Sequence, residues 1–564
     1  MDAKDEPLMD DAAAPPSTST LDVVILGGGL AGLTLALQLK KRRPATTITI
    51  LEKKRHPVSE AAHKVGESSV EIGAHYFTDV LGELEHFEQC QLPKLGLRYF
   101  FGDGDPSDLA SRTELGGNVF LPSRSWQIDR GRFENHLARR CQERGITFID
   151  AATVRSLELA PRGGEHRVTY ASAGATQAIG ARWVVDASGR AGLIKRKRSL
   201  AKEVGHKANA VWWRYDRRIA IDDWSQDPGW AAQGNNQRSR WLSTVHLMGK
   251  GYWVWFIPLA SGSHSVGIVA DETVHPFSTI SSYDKALAWL RVHEPQAAGV
   301  CEGRDEQLQD FLGLKDYSYS STQVYSEERW ACTGEAGAFL DPFYSPGSDF
   351  IAMGNTFITD LIERDLRDES ISTRTAFYNT IYFTFFDNHL SLYEGQMPLF
   401  DNAKVMALKI IWDFAYYWTV PAAFFFHGRQ TDLMAFARAK EGLDRSGLLN
   451  RRVQRLFRDW HAVDPRIAKT FIDIPALTFM YDLNRGLKDA LDEPQFMARL
   501  AANLQLLTVL AGEIAMLARD DLPAASVDGL TEGDRDGQFR LLSNLVGQLR
   551  AKPVIAGAGA PGSA

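Results

Sequence analysis

Three glycines, Gly27, Gly29 and Gly32, stand in the run GGGLAG directly after the apolar stretch LDVVIL (Leu21–Leu26). G-x-G-x-x-G between a strand and a helix allows a tight turn, lets the backbone approach a pyrophosphate and aims N–H groups at the anion. Glu52 closes the next strand-like run, TITILE, twenty positions after Gly32. At that spacing a carboxylate meets the hydroxyls of an adenosine ribose. Two later segments carry the same kind of chemistry. VVDASGR ends an apolar run with Asp186, Ser188 and Gly189, and GEAGAFLDPFYSPGSDF sets Gly334, Glu335 and Asp341 ahead of a second helix start. A carboxylate at Asp341 suits ribityl hydroxyls, and N–H groups near Gly347 suit an electron-rich ring. Taken singly, Asp341-Pro342 is a turn or helix cap. Alternation in GYWVWFIPL puts Trp253 and Trp255 on one strand face. Lys94, in LPKLGLRYFF, has by itself the ordinary reading of a surface lysine.

In order and spacing, these segments resemble the FAD-binding motifs of the flavin monooxygenase superfamily over roughly the first 360 residues. Within it, Trp253, Trp255, Ile257 and Pro258 resemble the W-x-W-x-I-P signature of the flavin-dependent halogenases. VGES (residues 65–68) resembles that family's pattern after the second strand. Lys94 then stands in its K-x-G-x-x-F context, with Gly96 in place and Tyr99 for the aromatic. Tryptophan-type halogenases carry their lysine on the helix after VGE. Here Gly73, Ala74, His75, Tyr76 and Phe77 hold that stretch, which points away from free tryptophan as substrate.

The resemblance implies FAD contacts at Gly27, Gly29, Leu30, Ala31, Gly32, Glu52, Lys53, Lys64, Glu67, Ser68, Arg130, Asp186, Gly189, Asp341 and Gly347. It implies halide held by backbone donors around Ser345, Pro346 and Gly347, flavin shielding by Trp253 and Trp255, and a catalytic Lys94 that intercepts hypohalous acid. Lys64 competes with Lys94, although its place before Gly66 suits a cofactor contact. For Arg130 the alternative is a helix-capping ion pair. His246 and His389 are weaker candidates for bases, with a structural role favoured for both. The implied reaction uses reduced FAD, dioxygen and chloride or bromide on an electron-rich aromatic or polyene-type acceptor, free or tethered to a carrier protein. Because no second G-x-G-x-x-G opens a nicotinamide domain, a flavin reductase is expected to supply reduced FAD in trans. A hydroxylase on the same scaffold and a flavin-binding redox sensor are the competing readings.

The expected fold is α/β: a Rossmann-type FAD-binding domain with an inserted, mainly antiparallel sheet domain and a helical C-terminal region. The expected boundaries are a tail over 1–20, the FAD-binding domain over 21–205, the substrate-side sheet domain over 206–325, a return to the first domain over 326–370, helices over 371–550 and a tail over 551–564. Glu67–Phe87 reads as one amphipathic helix, with Val70, Phe77, Val80, Leu81 and Leu84 on its apolar face. From Thr373 to Leu549 nearly everything has helical periodicity. Lys409–Phe426 is apolar and aromatic but interrupted by Asp413 and Pro421, too short for the ~20 apolar residues of a span. It reads as a buried helix pair lining a pocket, with an interfacial membrane patch as the alternative. The same aromatic residues also suit plain core packing.

The chain has 564 residues, 63 Lys plus Arg against 70 Asp plus Glu, and a net charge of -7, which excludes a general nucleic-acid binder. At 44% hydrophobic and 24% charged it builds an ordinary core. Four scattered cysteines without C-x-x-C spacing give no zinc or dithiol motif, no other metal signature occurs, and a cytoplasmic setting follows as the expectation.

Overall fold

The computed structural model describes residues 21–60, 66–234, 237–531 and 538–552. Lys64, both expected tails over most of their length, and Val65 of the VGES run lie outside the described residues. Leu21–Leu26 runs parallel to Ile48–Leu51 on one side and to the second half of Ala175–Asp186 on the other. Thr147–Ile149 extends the sheet beyond Ile48–Leu51, and Trp330–Cys332 pairs parallel with Val184–Asp186. The registers Leu26 with Leu51 and Asp186, and Asp186 with Cys332, bring four strand ends to one edge. Open parallel sheets bind ligands in the crevice at that edge. The first half of Ala175–Asp186 instead turns back against His166–Ser172, which continues to Thr153–Glu158. Helix Leu30–Arg42 is buried on most sides between this sheet and helix Gly347–Asp365, where Asn355 Nδ2 donates to Ala31 O at 3.0 Å.

A second sheet has eight strands, in the order Leu308–Leu314, Ala208–Tyr215, His264–Asp271, Tyr252–Pro258, Thr244–Gly249, Leu97–Phe100, Glu114–Gly116 and Phe471–Asp473. The first five pair antiparallel, as expected of the Trp-rich region. Leu97–Phe100 joins Thr244–Gly249 in parallel, and Phe471–Asp473 joins Glu114–Gly116 in parallel. The region after Thr373 is therefore not wholly helical: three residues of it close the far edge of this sheet. Alternation along Tyr252–Pro258 divides two cores. Trp253, Trp255 and Ile257 face the core shared with the first sheet, whereas Val254 and Phe256 face the helix pair Tyr283–His293 and Pro295–Cys301.

The single helix expected over Glu67–Phe87 is broken into three parts. Glu67–Val70 is extended, because Ser69 N and Oγ both reach Trp126 O at 3.0 Å and Ile128 N reaches Glu67 O at 2.6 Å. Serine side chains that bond outside their own turn compete with helix formation. The helix begins at Glu71, widens to a π-turn over Tyr76–Val80, and stops where Gly82 takes φ +85°. Leu84–Cys90 is a separate helix.

In the C-terminal region, Ala403–Tyr417 passes through a π-turn over Trp418–Ala422, containing Pro421, into Ala423–Phe426. Lys409–Phe426 is thus one bent helix in the protein core, and Lys409 Nζ pairs with Asp413 Oδ2 at 2.6 Å inside it. Among the described residues one helix, Glu493–Ala518, is long and apolar enough to cross a membrane by length and composition, with half of its most apolar window buried. It packs along Leu433–His461.

Candidate active site

At the converging strand ends, Gly27 takes φ +119°, and a Cβ there would lie 2.3 Å from Ala187 O. Only glycine lets the two loops approach so closely. Gly28 N donates to Glu52 Oε2 at 2.6 Å and Lys54 N to Oε1 at 2.7 Å, so Glu52 is anchored by backbone at the crevice rim. The crevice continues as one trough. Its outer end is lined by Gly27, Gly29, Leu30, Ala31, Glu52, Lys53 and Gly189, its inner end by Glu67, Ser68, Thr244, His246, Trp253, Trp255, Asp341 and Ser345–Ser348. Leu30, Arg130, Gly334 and Glu335 line both ends. Gly32 packs beneath, where a Cβ would meet Gly27 O at 2.0 Å.

Four expected contacts have other partners. Asp186 does not line the trough: its carboxylate accepts from Ser188 N at 3.0 Å, Ser188 Oγ at 2.6 Å and Ile194 N at 2.7 Å, and so shapes the turn carrying Gly189. Asp341 lines the inner end, but His206 Nε2 and Tyr317 OH meet its Oδ2 at 2.8 and 2.5 Å and Phe343 N donates to Oδ1 at 2.9 Å. It is a helix cap and a trough residue together. Glu67 is held by Arg214 at 2.6 Å, and Arg214 also pairs with Asp310. Arg130, the first residue of helix Arg130–Glu143, donates to Glu134 Oε1 at 2.7 Å and to Gly66 O at 3.3 Å, which joins the ion-pair reading to the trough position. Burial pulls its pKa down to about 10.

Trp253 and Trp255 stand side by side on the trough wall, ring centroids 5.5 Å apart. Ser345 sits at φ +56°, Pro346 follows, and Gly347 opens the 19-residue helix Gly347–Asp365. The first N–H groups of a helix lack intrahelical acceptors and favour an anion. His246 stacks on Tyr99 at 4.7 Å between this loop and Trp253. Burial, aided by the Lys94 charge, pulls it to about 3, so it is neutral at ordinary pH. His389 is buried away from the trough, bonded to Phe385 O at 2.9 Å.

Lys94 ends the short strand Leu92–Lys94, which pairs with Ser125–Gln127. It is no surface lysine: only 2% is exposed. Its Nζ donates to Ser68 Oγ at 2.8 Å and to Ser69 O at 2.7 Å. Ser68 Oγ in turn lies 2.9 Å from Thr244 Oγ1 and 3.1 Å from Ser345 Oγ. Ser68 faces the trough, while Lys94 faces a second cavity lined by Val70, Glu71, Gly117, Leu121, Phe414 and Trp418 among others. The Ser68–Lys94 bond therefore crosses the wall between two cavities. Desolvation pulls Lys94 to about 7, opposed by the nearby carboxyls of Glu71 and Asp349. Asp349, pushed up to about 8 by burial, accepts from Gly73 N and Tyr417 OH, both at 2.8 Å. Motif reading found Lys94 and the Ser345 loop but missed Glu71, Thr244, Asp349 and Phe414, none of which sits in a recognisable pattern. Within the aromatic stretch, Trp418 lines the second cavity; Trp412 and Phe424 pack in the core, on Asn450 and Phe436.

Residues 116–388 match the family model described as tryptophan halogenase, and residues 25–89 match that of an NAD(P)-binding Rossmann-like domain. The flavin-dependent halogenase chlA of Dictyostelium discoideum is 24% identical over 71% of this chain and 70% of its own length. The flavin-dependent halogenase armH3 of Armillaria mellea is 25% identical over 68% and 76%. In sequence the chain is similar to the flavin-dependent halogenases. These similarities support flavin-dependent halogenation, with FAD and a halide ion, in place of hydroxylation. The fold agrees with the solved halogenase PltM, at TM-score 0.63 and 13% identity over 91% of this chain and 99% of that one. The halogenase CmlS gives TM-score 0.53 at 22% identity over 72% and 65%. A 1H-pyrrole-2-carbonyl-[peptidyl-carrier protein] chlorinase of Pseudomonas fluorescens is 26% identical over 61% of this chain and 76% of its own length.

The trough fits FAD. Its outer rim is a glycine turn closed against Ala187, with Glu52 and Lys53 beside it. At its inner end Trp253 Nε1 and Ser348 Oγ are buried without hydrogen-bond partners among the described residues. The space where Cβ atoms of Gly189 and Gly347 would point is open.

Proposed function

We propose that this halogenase passes an activated halogen from the trough to the second cavity through Lys94, and that the acceptor there is an electron-rich aromatic or polyene-type molecule, free or tethered to a carrier protein. The observation that carries the reading is the position of Nζ, buried in the wall between both cavities and held by Ser68 and Ser69. Reduced FAD, when bound, supplies the electrons that, with dioxygen, convert a halide ion to hypohalous acid. Gly27, Gly29–Ala31, Glu52, Lys53, Arg130 and Gly189 would hold it along the trough, with Glu67, Asp186 and Asp341 fixing the loops around it. Gly347 and the neighbouring N–H groups would hold chloride or bromide, with Ser345 and Pro346 shaping the turn. Trp253 and Trp255 line the trough and would shield its inner end from an organic acceptor, so that the oxidant travels rather than the acceptor.

Lys94 as an ammonium has three donors. Two are used by Ser68 Oγ and Ser69 O, and the third is left to polarise hypohalous acid toward a ring carbon. Ser68 links that ammonium to Ser345 in the halide loop and would orient both. The acceptor would thus lie away from residues 206–325, of which no described residue lines the second cavity, and against Val70–Glu71, Leu95–Leu97, residues 116–125 and the bent helix. A separate flavin reductase would deliver reduced FAD, and the cytoplasm is the setting we propose, in keeping with four unpaired cysteines.

The test is to incubate the protein with a generic flavin reductase, NADH, FAD and bromide in the presence of an aromatic library. Product masses with the bromine isotope doublet are expected. Oxygenated products independent of bromide would contradict the proposal.

A further inference from the structure

The bent helix grips the turn Ser345–Ser348 from both sides. Tyr344, just before the turn, donates from its hydroxyl to Asp413 Oδ2 at 2.6 Å. Asp349, just after it, accepts from Tyr417 OH at 2.8 Å. Asp413 and Tyr417 are four residues apart on Ala403–Tyr417, so one helix face carries both. Neither is free to swing. Lys409 Nζ and Gln454 Nε2 meet the two oxygens of Asp413 at 2.6 and 2.7 Å, and Ile72 N donates to Tyr417 OH at 3.0 Å. All four gripping residues are buried, and Asp413 and Tyr417 lie beyond the stretch 116–388 that matches the family model.

The turn needs such ties. Ser345 takes φ +56°, a conformation that a residue with a side chain keeps only where its surroundings impose it. Ser345 N is spent on Pro342 O, and Pro346 has no N–H. The backbone donors left for an anion are those of Gly347 and Ser348, which meet no backbone acceptor among the described residues. Close packing does not aim them, because a small cavity lined by Tyr344, Pro346, Asp349, Asp413 and Tyr417 lies between the turn and the helix face. Asp349 lines this cavity and not the trough, so its carboxyl is turned away from the donors.

We infer that Asp413 and Tyr417 are positioning residues for the halide turn: through Tyr344 and Asp349 they aim the N–H groups of Gly347 and Ser348, and so set how strongly chloride is held relative to bromide. This rests on the proposed seat of the halide at Gly347. Chloride is the smaller ion and gives up more hydration on burial, so it depends more than bromide on well-aimed donors.

The experiment titrates chloride into the FAD-loaded protein and follows the line broadening of its chlorine NMR signal, with bromide as competitor, in the parent, Tyr344→Phe, Tyr417→Phe and Gly347→Val. Tyr344→Phe leaves Asp413 with Lys409 and Gln454, so no buried charge loses its partner. Each tyrosine variant is expected to weaken chloride about tenfold and bromide about threefold, as for a lost hydrogen bond, with FAD affinity within about twofold of the parent. Near-UV circular dichroism and FAD content check folding. A merely structural role would weaken both halides alike and FAD with them. That result, or parental chloride affinity in both tyrosine variants, would overturn the inference. Gly347→Val drives a branched side chain into the open space beside the donors and should weaken both halides whatever holds the turn. If it does so while the tyrosine variants bind as the parent does, the seat stands and only the role of Asp413 and Tyr417 falls. Parental halide binding in Gly347→Val as well would remove the seat and the inference together.

Discussion

The trough and the second cavity meet at Ser68 and are built in opposite ways. The outer trough is made largely of backbone: a glycine turn, two strand ends and a helix start, with side chains such as Asp186 and Asp341 bracing the loops. The second cavity is made of side chains from distant segments, and it concentrates buried ionisable groups, Lys94 and Glu71 with Asp349 behind them. Backbone donors hold a large, invariant anionic cofactor. Side chains that a few substitutions can change hold the acceptor, which gives each function the kind of wall suited to it.

The contrast yields distinct ways of breaking each half. Gly27→Val should cost the most, since a branched side chain at φ +119° would collide with Ala187 O. FAD binding is expected to weaken at least about 100-fold, or ~2.7 kcal/mol. Flavin fluorescence titration measures this, and parental affinity would show that the cofactor lies elsewhere. Ser68→Ala acts at the junction. FAD affinity should stay within about twofold while brominated product per reduced FAD consumed falls about tenfold, as expected for loss of an orienting bond to a charged group. Equal losses in binding and coupling would instead place Ser68 wholly in the trough.

The smallest effect expected is on stability. The folded state holds Lys94 at about 7, against an ordinary value of 10.5 when unfolded. Between those values the unfolded chain binds the proton that the folded chain releases, so the parent gains stability as pH rises. Lys94→Met should therefore be more stable than the parent near pH 6, and the gap should narrow toward pH 10, a change of a few degrees in Tm. A gap independent of pH would mean that Lys94 is not desolvated.

The same contrast explains what the sequence disclosed. The outer end of the trough was legible because its first residues are consecutive: a strand, a glycine turn and a helix must follow one another to cradle a pyrophosphate. Lys94 was legible through its family context alone, for nothing local shows that Leu92–Lys94 is a strand turned inward. The second cavity was hidden because Val70, Leu121, Phe414 and Ile474 meet only through the tertiary fold. Helical periodicity in Glu67–Phe87 concealed the extended Ser68–Ser69 segment, since hydrogen bonds to Trp126 and Lys94 override local preference. In the aromatic stretch, periodicity could not separate Trp418, on the cavity, from Trp412, in the core.

The most direct test of transfer through Lys94 is a bromine balance in the parent and Lys94→Ala, each supplied with reduced FAD, dioxygen, bromide and an accepted aromatic. The variant should bind FAD and consume reduced FAD at the parental rate, yet release its oxidising equivalents to solution and form no organobromine above background. Brominated product from Lys94→Ala at the parental yield would contradict the account.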